Sequence, residues 1–229
     1  MLHSTYHHKE TYEDPKTSAV FENLILLPDN VFWHLLRQSC FSNTDMPINS
    51  GRLLSYNFWP HWDKTDTDNT NYVEPDLFIR FENFDVIIEA KYGDIVGQYE
   101  HQWQQEITAY HNEYRNDKEN RNDKPFIFIA VGGNMSVLSE TISVKEEKVK
   151  VYKCNWLSLL MSVNKYEKEL ELISVPDMNY AATMRLLDNI ILAFNINGVY
   201  NIDWFNTMAR SRPIINTSSI DNLQKLYKW

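Results

Sequence analysis

Two cysteines and six glycines in 229 residues exclude several classes of protein from the start. Cys40 and Cys154 are too few for a disulfide framework or a four-cysteine metal site, so a reduced, cytoplasmic setting is the economical expectation. Glycine is too scarce for a phosphate-cradling loop. The pair Gly132-Gly133 has neither the lysine nor the spacing of a P-loop, which argues against a nucleotide-hydrolysing motif of that kind. No apolar run reaches the length of a membrane span, and the stretch MLHSTYHHKE lacks signal-peptide character. No Ser/His/Asp or Cys/His arrangement of a covalent hydrolase stands out. Surplus positive charge is missing too. The formal net charge is −9; residues 1–100 hold 7 basic and 16 acidic side chains, and residues 101–229 hold 15 of each. Phosphate contacts come from Lys and Arg, so charge alone favours a protein that does not meet DNA.

What is present points the other way. Hydrophobic residues make up 43% of the chain and aromatics 14%, enough to fill a globular core. The stretch Glu74–Lys91, EPDLFIRFENFDVIIEAK, has two apolar runs joined by Glu82-Asn83, a polar break of the kind that turns a hairpin. Asp76 opens the first run after a proline, and Glu89 and Lys91 close the second. A strand's period of two puts Glu89 and Lys91 on one face, and antiparallel pairing brings Asp76 to the same end. Charges carried on buried strands are costly unless they pair or hold a metal, and hard divalent cations take oxygen ligands of this type.

Pro75-Asp76, followed after twelve intervening residues by Glu89-Ala90-Lys91, resembles the signature of the PD-(D/E)xK nuclease superfamily, the restriction-endonuclease-like fold. That resemblance implies Asp76 and Glu89 as ligands of Mg2+, with Mn2+ able to substitute, and the Ala90 carbonyl as a further ligand. It implies that Lys91 orients or activates the attacking water. It also implies an acidic residue on the helix before the first core strand, a place Glu22 matches in order, with a solvent-facing glutamate the equal alternative. A glutamine on the helix after the motif is implied as well. The sequence QQEITAY leaves open whether Gln102 or Gln105 takes that role, or whether both simply flank the helix.

The order of elements agrees with the resemblance. Residues 1–16 read as a polar tail in which His7 and His8 are solvated. Two helices follow, the first capped by Thr17 or Ser18 and the second opened by Pro28-Asp29-Asn30. A strand over 52–60, a polar loop over 61–73 and the hairpin precede a helix expected over Ile95–Tyr114. Tyr99, Trp103, Ile107 and Tyr110 would face the sheet from that helix. PFIFIAVGG reads as a central strand and KEEKVKVYKCNW as another, with a helix from WLSLLMSVN. The expected architecture is therefore α/β: a mixed central sheet flanked by helices over 17–174, with a helical extension over 175–229 that packs on the core or forms a subunit interface. Arg210, Arg212, Lys225 and Lys228 make the last residues a candidate phosphate-contacting edge. The expected activity is Mg2+-dependent phosphodiester hydrolysis, of DNA in the first place with RNA open, in settings such as phage defence or repair. A homodimer or a partner subunit would supply missing contacts. The alternative is a catalytically inactive relative of the same fold that serves as a protein-binding or assembly subunit.

Overall fold

A computed structural model of the chain describes residues 13–93, 95, 97–115, 124–172 and 178–201. The elements run α1 (Glu13–Leu24), α2 (Asp29–Ser39), β1 (Leu53–Phe58), β2 (Leu77–Phe81), β3 (Asp85–Ala90), α3 (Glu100–Tyr110), β4 (Phe126–Val131), β5 (Glu140–Val144), β6 (Glu147–Cys154), α4 (Trp156–Glu171) and α5 (Tyr180–Ile196). The strands form one mixed sheet in the order β1-β2-β3-β4-β6-β5. β1–β2, β2–β3 and β5–β6 are antiparallel, whereas β3–β4 and β4–β6 are parallel. The architecture is thus α/β, a mixed sheet flanked by helices.

The side chains of the β2–β3 hairpin explain how the layers stack. Leu77, Ile79, Phe81, Val86 and Ile88 enter a core shared with α1, α2, α4 and α5, and Phe78 and Ile87 enter a second core beneath α3. All six residues of β3 are buried, as a strand covered on both faces requires. Each buried Phe, Ile or Leu contributes about 1.5–3 kcal/mol, so this frame can carry charged groups that cost stability at one end. The hairpin turns at Glu82-Asn83, where the Phe81 N–H donates to the Phe84 carbonyl at 3.0 Å.

Several boundaries differ from the sequence reading, each for a local reason. α1 begins at Glu13, not after Thr17, and Asp14, Lys16, Thr17 and Ser18 are buried. Pro15 is tolerated because it falls in the first turn, where N–H groups have no helical acceptor. Lys16 is satisfied by the Tyr92 carbonyl at 2.8 Å and lies over the Tyr92 and Trp156 rings. α2 does open at Pro28-Asp29, and the Asp29 carboxylate accepts the Leu53 N–H at 2.9 Å, tying α2 to β1. α3 starts at Glu100 because Gln98 N–H bonds the Gly133 carbonyl at 3.2 Å, holding that segment to the end of β4. It ends in a π-helical turn over His111–Arg115. The edge strand β5 was not expected: its polar, largely exposed face gives little apolar signal.

α5 presents Leu187, Ile190, Ala193 and Phe194 to α1 and α4, so the described part of the C-terminal extension belongs to the core. Ala182, near the start of the same helix, is exposed. Residues 1–12, with His7 and His8, and residues 202–229, with Arg210, Arg212, Lys225 and Lys228, lie outside the described residues. Among the described residues, no helix is long and apolar enough to cross a membrane.

Candidate active site

The parallel strands β3, β4 and β6 end together, and the antiparallel β2 begins there. Asp76 stands one residue before β2 and Glu89 one residue from the end of β3. Parity sends both toward the α3 face, since Phe78 and Ile87 lie two residues further in and pack beneath that helix. Both acids are buried, Asp76 at 7% exposure and Glu89 at 2%.

Asp76 is held from two sides. Its Oδ2 accepts the Ala90 N–H at 2.7 Å, and its Oδ1 accepts the Trp59 indole N–H at 3.2 Å. Trp59 adopts a left-handed backbone with φ of 47°, uncommon for a bulky residue, and its own N–H reaches the Asp76 carbonyl at 3.1 Å. The Ala90 N–H points toward β2, and in an extended residue the carbonyl points the same way. The Ala90 oxygen therefore faces the Asp76 side of the strand.

Glu89 is reached by two donors at one oxygen. Lys91 Nζ forms an ion pair with Glu89 Oε1, and Gln102 Nε2 donates to the same atom at 2.6 Å. Gln98 adds a bond from its Nε2 to the Glu89 main-chain carbonyl at 3.0 Å, and Trp103 fixes Gln98 by donating to its Oε1 at 2.7 Å. Of the two candidate glutamines, Gln102 meets Glu89, whereas Gln105 accepts the Asp68 N–H at 2.6 Å out in the 61–73 loop.

Glu106 is the residue that sequence reasoning passed over. It lies one helical turn after Gln102, is 2% exposed, and neither of its carboxylate oxygens has a donor in good hydrogen-bond geometry, the Glu89 carboxyl and the Gln102 amide only approaching it. Burial pushes its carboxyl up to about 8; contact with Glu89 pulls it back part of the way, and the charge on Asp76 pushes it further up. Burial also raises the Glu89 carboxyl, with the Glu106 charge adding to the effect and Lys91 opposing it. Two facing carboxyls need a proton or a cation between them. The available signal was its spacing, since residues four apart share a helix face.

Glu22 is not placed with these residues. It is half-buried on α1, whose buried Val20, Phe21 and Leu24 belong to the core on the opposite face of the sheet.

The fit to a divalent cation is one of donor chemistry. Asp76, Glu89, Glu106 and the Ala90 carbonyl offer hard oxygen donors, and the two orphaned oxygens of Glu106 call for a positive partner. As the side chains stand, no three carboxylate, histidine or cysteine groups among the described residues converge on one point. Magnesium needs fewer, because it keeps several waters and uses one or two carboxylates.

A cleft of about 700 Å³ opens beside this corner, with Gln102 and Glu106 on its wall. Tyr99 and Tyr72 flank it, the latter stacked on His61 with ring centroids 3.6 Å apart. Asp68 and Glu74 complete an acidic lining that, among the described residues, contains no Lys or Arg. His101 pairs with Asp68 at 3.0 Å and His61 with Glu74 at 2.9 Å. His61 is therefore held between the Tyr72 ring and the Glu74 carboxylate, and Asp63 accepts from Thr65 within its own loop.

No family model matches this chain. It is similar to an uncharacterized protein, PM0110, of Pasteurella multocida (strain Pm70), with 24% identity over 234 residues that span 95% of this chain and 82% of that protein. That name carries no activity, so the functional reading rests on the geometry.

Proposed function

We propose that this protein is a metal-dependent nuclease hydrolysing phosphodiester bonds, of DNA in the first place. The observation that carries the reading is the meeting of Asp76, Glu89, Lys91 and Gln102 at one end of the sheet. Glu89, together with Asp76 or Glu106, would hold a magnesium ion there, and the ion would supply neutralisation of charge on the phosphate oxygens. The chain's own groups do the rest. Lys91 provides an ammonium that can donate to a water or to a phosphate oxygen. The Gln102 amide offers a donor and an acceptor together, so it can hold Glu89 and orient a water at the cleft wall. Burial of the corner keeps bulk water from screening these charges.

The test is cleavage of plasmid DNA by the full chain with Mg2+ or Mn2+, with EDTA as the control. Wild type should nick or degrade the DNA, and Asp76→Ala and Lys91→Ala should each abolish it. Equal cleavage by all three proteins would overturn the reading. The acidic lining of the cleft favours a second one, an inactive member of the same fold acting as an assembly subunit. Absence of cleavage with every divalent ion would favour that alternative.

A further inference from the structure

We infer that the cleft beside the carboxylates takes unpaired nucleotides, their bases stacked on Tyr99 and on the Tyr72–His61 pair, so that the substrate is single-stranded or locally unpaired nucleic acid and not intact duplex. The inference rests on the nuclease reading for nucleic acid as the ligand, but it is measured as binding, with no metal and no cleavage.

Tyr99 is exposed where its spacing would bury it. Helical periodicity groups it with Trp103, Ile107 and Tyr110; those three are buried, whereas Tyr99 is 62% exposed and lines the cleft. It is the N-cap of α3, a place suited to Ser, Thr, Asp or Asn, and its side chain makes no cap bond. Neither the core nor the helix end accounts for this ring.

Tyr72 is ordered in advance. The Trp62 N–H reaches the Val73 carbonyl at 2.9 Å and the Val73 N–H reaches the Trp62 carbonyl at 3.1 Å, which pins the two ends of the polar loop together. His61 and Tyr72 flank that bridge and stack with their ring planes 13° apart. Glu74 holds His61, and Tyr72 lines the cleft. A ring fixed before binding loses little freedom when a ligand stacks on it.

Charge separates the two forms of nucleic acid. A duplex presents its phosphates and covers its base faces with neighbouring bases, and among the described residues the cleft has no Lys or Arg to meet phosphates. An unpaired strand exposes its base faces, and stacking on aromatic rings does not need a cation. Asp68 and Glu74 each carry a histidine partner, His101 and His61, whose protonation cancels the carboxylate charge. At about 700 Å³ the cleft falls within the range of sites that enclose a small organic ligand. Gln102 and Glu106 share its wall, so a strand held there lies beside the carboxylates proposed to hold the metal.

The experiment is anisotropy titration of the full chain, in EDTA at about physiological salt, with a labelled oligothymidylate of roughly 12 nucleotides and with a duplex of the same length. Wild type, Tyr99→Ala, Tyr99→Phe, Tyr72→Ala and Tyr72→Phe are compared, each checked for a wild-type circular dichroism spectrum. Wild type should bind the single strand about tenfold or more tighter than the duplex. Each alanine variant should weaken the single strand by about 5- to 150-fold and leave the duplex unmoved, while each phenylalanine variant stays within about threefold of wild type. Equal or tighter binding of the duplex, or single-strand affinity unchanged in both alanine variants, would overturn the inference and leave the nuclease reading standing. Absence of binding to either form would overturn it too, and the cleavage assay with Asp76→Ala then decides the nuclease reading separately.

Discussion

Gly133 stands against the stem of Lys91: a Cβ built on this glycine would lie 2.8 Å from Lys91 Cβ and 2.9 Å from its Cγ. The neighbouring Gly132 packs as closely on the strand end, where a Cβ would come within 2.6 Å of the Lys91 carbonyl. That carbonyl is held by the Trp156 indole N–H at 2.7 Å. Both glycines have positive φ, 67° and 62°, so the pair supplies a turn and a close approach at once. The Gly-Gly sequence that could not be a P-loop is the bed on which the lysine rests.

Gly133→Ala should therefore act on Lys91 before it acts on the fold. The left-handed conformation costs a non-glycine residue about 1–2 kcal/mol, and the methyl group must displace the lysine stem. Displacement of a reacting group by about 1 Å can cost on the order of 100-fold in rate. Cleavage should fall by that order while the thermal unfolding temperature drops by only a few degrees. An alanine variant with wild-type kcat would show that Lys91 has no positional role.

Glu106 makes stability depend on pH in a definite direction. Below about pH 4.5 its carboxyl is protonated in folded and unfolded chains alike. As pH rises the unfolded chain ionises first, and the folded chain keeps its proton up to about 8. The folded state thus binds more protons through this window, and stability falls from about pH 4.5 to about pH 8, then levels. Each unit of displacement corresponds to about 1.4 kcal/mol, so Glu106→Gln should gain roughly 2 kcal/mol or more over wild type at pH 8 and little at pH 4. Urea denaturation at the two pH values measures this. A variant equally stabilised at both would remove charge as the cause.

Asp76→Ala should behave in the opposite sense. Crowded buried charge suggests relief on removal, but this carboxylate satisfies the Ala90 and Trp59 N–H groups. A buried donor left unpaired costs about 1–3 kcal/mol, and the variant should lose about that much. An unfolding midpoint at or above wild type would mean that water replaces the carboxylate at Ala90.

The contrast marks what the sequence could and could not carry. The hairpin, the shared end of Asp76, Glu89 and Lys91, and the central strand β4 were legible because a period of two fixes which face each side chain takes. Helix faces were less so. Gln102 and Gln105 are equivalent until the rotation of α3 is known, and packing of Trp103, Ile107 and Tyr110 on the sheet sets that rotation. Glu106 was hidden because a glutamate in a helix is expected at the surface, and only burial without a donor makes it conspicuous. The start of α1 was misjudged because Asp14 and Lys16 read as tail residues, and the partners that bury Lys16, Tyr92 and Trp156, lie far along the chain.

The acidic cleft sets an expectation for substrate affinity. Tight non-specific binding to DNA releases many counterions and needs a Lys or Arg for each phosphate neutralised. Among the described residues the cleft beside Glu106 is lined by Asp68 and Glu74 and by no Lys or Arg, and the chain's net charge of −9 leaves no surplus of cations. Binding by the chain alone should fall in the weak range of non-specific complexes, at roughly 1 μM or weaker at physiological salt, with a shallow dependence on salt. Asp68 is largely exposed and paired with His101, so Asp68→Asn should leave the fold intact, remove one repelling charge and release a histidine to the phosphates. Its DNA affinity should rise a few-fold at low salt, and the gain should shrink as salt screens the cleft. Anisotropy titrations of a labelled duplex across a salt series would read both effects. Tight, steeply salt-dependent binding by the wild-type monomer, unmoved by Asp68→Asn, would place the nucleic-acid surface away from this cleft.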